Sequence, residues 1–144
     1  VACTNPAAND PKNPEKQSNS LLSPMQDSLY EMVMYKHDEV MPKTADIARL
    51  NSKLKTYLKQ DTTHKDTIMT LLARLDQADE GMMQWMREIK SVEGHKSYYE
   101  TSSEAEITDY LKSEEERIDE VAQQMLTSIE QARAWLAANK LSEK

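Results

Sequence analysis

Apolar residues recur at three- and four-residue intervals along most of this chain, and the places where the rhythm fails mark off three long helices. Ser23-Pro24-Met25-Gln26 opens the first: Ser23 suits a free backbone N–H, Pro24 the first helical position, and Gln26 the return half of a capping box. Its stripe runs through Leu29, Val33, His37 and Val40, flanked by Tyr30, Met34 and Met41. Pro42 lacks an N–H and crowds the carbonyl of Asp38, yet the stripe resumes through Thr44, Ile47, Leu50 or Asn51, Leu54 and Leu58. Residues 24 to 59 therefore read as one helix kinked at Pro42, and a full break there would turn three helices into four.

Gln60-Asp61-Thr62-Thr63 interrupts the pattern and supplies capping side chains, with Asp66 placed to complete a weaker box on Thr63. The second helix then carries Ile68, Leu71, Leu72, Leu75, Ala78, Met82, either Trp85 or Met86, and Ile89, and stops before Gly94. Gly81 lies inside it, at a cost of about 1 kcal/mol relative to alanine unless a neighbour uses the missing side chain. Residues 94 to 102 read as a loop. Ser103 and Glu106 form a clear capping box for a third helix through Ile107, Leu111, Ile118, Val121, Met125, Ile129 or Ser128, Ala132 and Leu136, with Glu114 interrupting a near-heptad pattern, to about Asn139. The expected fold is all-α, an elongated antiparallel bundle over residues 23 to 144.

Composition narrows this further. Of 144 residues, 30% are charged, 38% hydrophobic and two are glycine, a mixture that suits a thin core seam between solvated helices rather than a thick α/β domain. The formal charge of −7 is carried by the second half, and no run of Lys or Arg tracks a phosphate backbone, so nucleic acid is not an expected partner. No nucleophile elbow, phosphate-cradling glycine loop, His-Glu-x-x-His or Cys-His pairing occurs, and the sequence gives an enzyme no support. The acidic group Glu114-Glu115-Glu116 with Asp119 and Glu120 reads as the solvated face of the third helix, since a continuous helix cannot wrap oxygens round Ca²⁺.

One cysteine excludes an internal disulfide, but Val1-Ala2-Cys3 resembles the end of a bacterial lipobox, in which Cys3 is the lipidation site. Residues 4 to 22, rich in proline and small polar side chains, then read as a flexible tether. That arrangement places the helical domain at a membrane surface, on the periplasmic face of the outer membrane, held there by lipid on Cys3.

The first helix packs three methionines and His37 between Met32 and Pro42, and the second holds Met82-Met83-Gln84-Trp85-Met86. If the two form a hairpin about residues 61 and 62, facing positions sum to about 123, because each step from the turn advances both helices equally. His37 then faces Met86, Met41 faces Met82, and Met34 faces Ile89, with Tyr110 to Ile118 of the third helix alongside. As packing, methionine fills irregular space beside a kink and His37 finds a carbonyl such as that of Asp38. As chemistry, Met34, His37, Met41, Met82 and Met86 are thioether and imidazole ligands that favour Cu(I) or Ag(I), with Trp85 adding cation–π attraction. His64 and His95 have no partner at metal-binding spacing.

The run Met34-Tyr35-Lys36-His37-Asp38-Glu39-Val40-Met41-Pro42-Lys43, together with Met82-Met83-Gln84-Trp85-Met86, resembles small helical lipoproteins of Bacteroidota that often carry the label "viral A-type inclusion protein". The resemblance covers most of residues 23 to 90 and the lipobox-like start. It implies a cell-envelope lipoprotein and brings no functional residues with it. The expected function is a non-enzymatic envelope lipoprotein, a helical interaction or structural module with an envelope protein as partner and no cofactor. The alternative is a periplasmic Cu(I) or Ag(I) binder.

Overall fold

The computed structural model describes residues 21–139, all of whose regular elements are helices. Cys3 and most of the segment read as a tether lie outside the described residues. Five helices follow one another: α1 (Pro24–Val40), α2 (Lys43–Gln60), α3 (Lys65–Glu88), α4 (Lys96–Thr101) and α5 (Glu104–Ala138).

The first two form one bent arm. Met41 (φ −53°, ψ −39°) and Pro42 (φ −60°, ψ −20°) both keep helical backbone angles, so the chain bends without reversing. Met41 N–H still donates to His37 at 2.8 Å, and Thr44 closes the far side by donating its N–H (3.1 Å) and hydroxyl (2.8 Å) to the Met41 carbonyl. The ladder lacks the proline N–H, and beyond it the two three-residue bonds from Thr44 to Met41 carry the chain round the kink.

Both strong capping boxes form. Ser23 and Gln26 exchange hydrogen bonds at 3.0 and 3.2 Å, and Ser103 and Glu106 do the same at 3.1 Å each. The weaker box expected on Thr63 does not. The α3 N-cap is His64, without a side-chain cap, and Asp61 organises the turn by accepting from the Thr63 N–H at 2.8 Å and lying 2.7 Å from the His64 ring. The His64 contact first, and the Thr63 N–H second, hold the Asp61 carboxyl below its ordinary range.

Cross-links fix the directions. Contacts of α5 with the first arm advance together, from Gln26–Thr108 through Lys36–Glu115 to Asp46–Arg133, so those helices run parallel. Contacts with α3 run oppositely, from Trp85–Glu114 to Arg74–Gln131. At ~1.5 Å per residue, the 35 residues of α5 span roughly 50 Å and match the whole bent arm. The main core lies along this length and includes Val33, Ile47, Leu50, Leu54, Ile68, Leu75, Met82, Trp85, Ile118, Met125 and Leu136. Gly81 is not there for close approach: a Cβ on it would meet only the Gln124 amide oxygen, at 3.6 Å.

A second, smaller core corrects the expected loop. α3 ends at Glu88 rather than near Gly94, and residues 96–101 form α4, whose Tyr99 is buried with Leu22, Val92, Ile107 and Leu111. Leu21 also packs here, so the last two residues assigned by composition to the tether belong to the folded domain. Three tyrosines enclose Lys90. Its N–H donates to the Tyr110 hydroxyl at 2.8 Å, its carbonyl accepts from the Tyr99 hydroxyl at 2.6 Å, and its ammonium lies 5.0 and 4.7 Å from the Tyr98 and Tyr110 ring centres.

Burial in this lobe raises Tyr99 well above its ordinary value and pushes Tyr110 up to about 12. Both pKa values are raised on folding, so their stabilisation is complete below about pH 10 and declines as pH rises towards the folded values. The slope should be at most about 1.4 kcal/mol per pH unit for each tyrosine, and less for partly exposed Tyr110. Urea denaturation at about pH 9 and about pH 11 checks this: wild type should lose stability between them, and Tyr110→Phe should lose less.

Candidate functional site

α1 and α3 meet at one level of the bundle through His37 and Trp85, and α5 packs against both helices. Trp85, not Met86, turns inward. The two positions differ by about 100° on a helix, and the indole N–H is satisfied only on the inner side, where it donates to Glu114 Oε2 at 2.9 Å. Trp85 is consequently buried, whereas Met86 sits at the rim with 40% of its surface exposed. The expected facing of His37 and Met86 is thus shifted by one residue: the His37 ring stacks on Trp85, with centroids 5.5 Å apart and planes 25° from parallel.

Glu114, which interrupts the heptad pattern of α5, is the polar centre of this level. It is 3% exposed and accepts from Trp85 on one oxygen and from Arg117 Nη1, at 2.8 Å, on the other. Arg117 reaches on to Glu88 of α3, and Glu88 also accepts from Gln84 at 2.8 Å. Burial alone would lower the Arg117 pKa, but Glu88 and Glu114 together outweigh it and hold the guanidinium above its ordinary value. The Gln84 hydrogen bond, followed by that of Arg117, lowers Glu88. A buried carboxylate is thereby matched on both oxygens, as a buried charge requires.

Lys36 ties the same turn of α1 to α5 by donating to Glu115 at 2.9 Å and Asp119 at 2.8 Å. These two partners, Asp119 first, raise its pKa. Most of the acidic group on α5 is therefore engaged in holding helices together, a role its sequence pattern alone did not disclose.

His37 is oriented from two sides. Trp85 covers one face, and Nδ1 lies 2.9 Å from the Asp38 carboxylate, so the carboxylate rather than the Asp38 carbonyl is its partner. Nε2 is buried and meets no hydrogen-bonding partner. Of the other sequence-derived ligand candidates, Met82 is fully buried beside Trp85, and Met34 and Met41 are partly buried against the same core. The imidazole occupies one face of the Trp85 indole, the residue expected to add cation–π attraction. Among the described residues no group of three or more His, Cys, Asp or Glu side chains gathers as a metal-binding set.

A separate feature lies on the opposite side of α1. Met25, Met32 and Tyr35 are 56, 46 and 58% exposed. Their spacing of seven and three places them along one side of the helix, away from the buried Val33 and Val40. The apolar stripe through Leu29, Val33 and Val40 leaves Met32 outside it, as its exposure shows.

No helix among the described residues is long and apolar enough to cross a membrane. No family model matches the chain, and neither does any curated protein or solved structure.

Proposed function

We propose that this chain is a non-enzymatic cell-envelope lipoprotein, anchored by lipid on Cys3 at the periplasmic face of the outer membrane, that binds a helical segment of an envelope protein along α1. The observation that carries this reading is the exposed Met25–Met32–Tyr35 stripe. Three large apolar side chains at the spacing of a helix–helix seam are costly to leave in water, and methionine adapts its shape to a partner surface. Glu39 falls on the same line one heptad beyond Met32, so the partner helix would carry an apolar stripe ending in Lys or Arg. The lipobox-like Val1-Ala2-Cys3 and the resemblance to Bacteroidota lipoproteins support the location.

A benzophenone side chain introduced at Met32 in the lipidated protein should yield one discrete cross-linked protein adduct in whole envelopes. The double substitution Met25→Ser, Tyr35→Ser should abolish that adduct while leaving the melting temperature within a few degrees of wild type, since neither residue supports the core. Equal adducts from a probe at Glu120, on a different helix, or no loss in the double variant, would defeat the proposal.

A further inference from the structure

Independently of any partner on the outer side of α1, we infer that the level at which His37 of α1 stacks on Trp85 of α3 binds one soft monovalent cation of the Cu(I) and Ag(I) class, with His37 Nε2 and the thioethers of Met34, Met41 and Met82 as ligands.

The inference starts from a single atom. A carboxylate can only accept, so Asp38 fixes the neutral imidazole as the tautomer with its proton on Nδ1. The lone pair then resides on Nε2, which is buried with no hydrogen-bonding partner. An unsatisfied buried acceptor costs about 1–3 kcal/mol, so a fold that maintains one gains by giving it a ligand. Carboxylate on one imidazole nitrogen and ligand on the other is also the usual arrangement behind a metal-bound histidine, in which the carboxylate holds the ring and makes it more basic.

The surroundings select the ion. Met34 and Met41 stand three residues before and four after His37, hence on the same side of α1, and both pack against the core cluster that contains Met82 and Trp85. Met82 precedes Trp85 by three residues and so shares its face of α3. The methionines that share these faces and this core carry thioethers, which are poor donors for Zn²⁺ and good ones for Cu(I) and Ag(I). Met86, 40% exposed, lies outside the buried set. Trp85 serves as the platform on which the ligand ring stacks, with its own orientation fixed by Glu114.

The test is a titration with silver nitrate in chloride-free buffer, using the full chain with Cys3→Ser, which removes a competing thiol, and Trp135→Phe, which leaves Trp85 as the only reporter. Saturable quenching at one Ag(I) per chain is expected. Met34→Leu, Met41→Leu, Met82→Leu together conserve volume but remove the sulfurs, and should weaken binding at least about 100-fold without loss of helicity. Asp38→Asn, at an exposed position, should weaken it roughly 10- to 100-fold. Met25→Leu, Met32→Leu, Met69→Leu together, at exposed methionines, should change nothing. Absence of saturable quenching, an unchanged affinity in the buried triple variant, a loss in the exposed one, or displacement of Ag(I) by equimolar Zn²⁺ would each overturn the inference. Since none of the ligands belongs to the Met25–Met32–Tyr35 stripe, cross-linking on α1 and silver binding fail or succeed separately.

Discussion

Arg117→Met should destabilise the fold by about 2–3 kcal/mol at neutral pH, and adding Glu114→Gln should recover more than half of that loss. Arg117 donates to Glu114, which is 3% exposed and has Trp85 as its other partner. Removing the guanidinium leaves a carboxylate out of water with one oxygen unmatched, the situation in which breaking a buried pair costs about 3–5 kcal/mol. Arg117 is itself 39% exposed on its side chain, so water can partly replace it, which places the effect at the lower end. Glutamine at 114 removes the charge while its carbonyl oxygen can still accept from the Trp85 indole. Urea denaturation of the two single variants and the double variant gives the coupling directly. Additive losses would mean that Glu114 is already hydrated and that Arg117 acts only as a surface charge.

The same network explains what was legible in the sequence and what was not. Helix starts were legible at Ser23 and Ser103 because a capping box is decided within four residues. The bent arm was legible because the apolar stripe keeps its phase across Pro42, and phase is a local property. The choice between Trp85 and Met86 was not, because both border the stripe of α3. It is settled by Glu114, a residue 29 positions away that accepts from the buried indole N–H. An acid in a core position of α5 was the available signal, and it pairs naturally with a tryptophan at the same level. The tyrosine lobe escaped for a related reason. Six residues are too few to show a helical period, and α4 is held by Tyr99 and Tyr110 gripping the backbone of Lys90, contacts made across 9 and 20 residues.

Gln26→Glu should be more damaging than Gln26→Ala at neutral pH, by a total of about 3 kcal/mol against about 2 for alanine. Gln26 is buried, and its two ends do different work. Its oxygen accepts from the Ser23 N–H at 3.0 Å to close the α1 capping box. Its amide nitrogen donates to the Glu104 carbonyl at 3.0 Å and the Thr108 hydroxyl at 3.2 Å, tying the start of α1 to the start of α5. Alanine loses all three bonds and leaves a small space. Glutamate keeps the cap but turns a carboxylate towards a carbonyl oxygen, with no donor but the Thr108 hydroxyl on that side. The two variants separate on pH. Folding would raise the pKa of a glutamate at this site, so its full contribution is present below the unfolded-state value of about 4.3 and is lost as pH rises through the folded value. Gln26→Glu should therefore regain stability relative to wild type on acidification from about pH 7 to about pH 5, because the protonated side chain can donate to Glu104 again. Gln26→Ala carries no titrating group and should show no such recovery. Parallel pH profiles for the two variants would show that the α1–α5 tie rests on packing rather than on the amide hydrogen bonds.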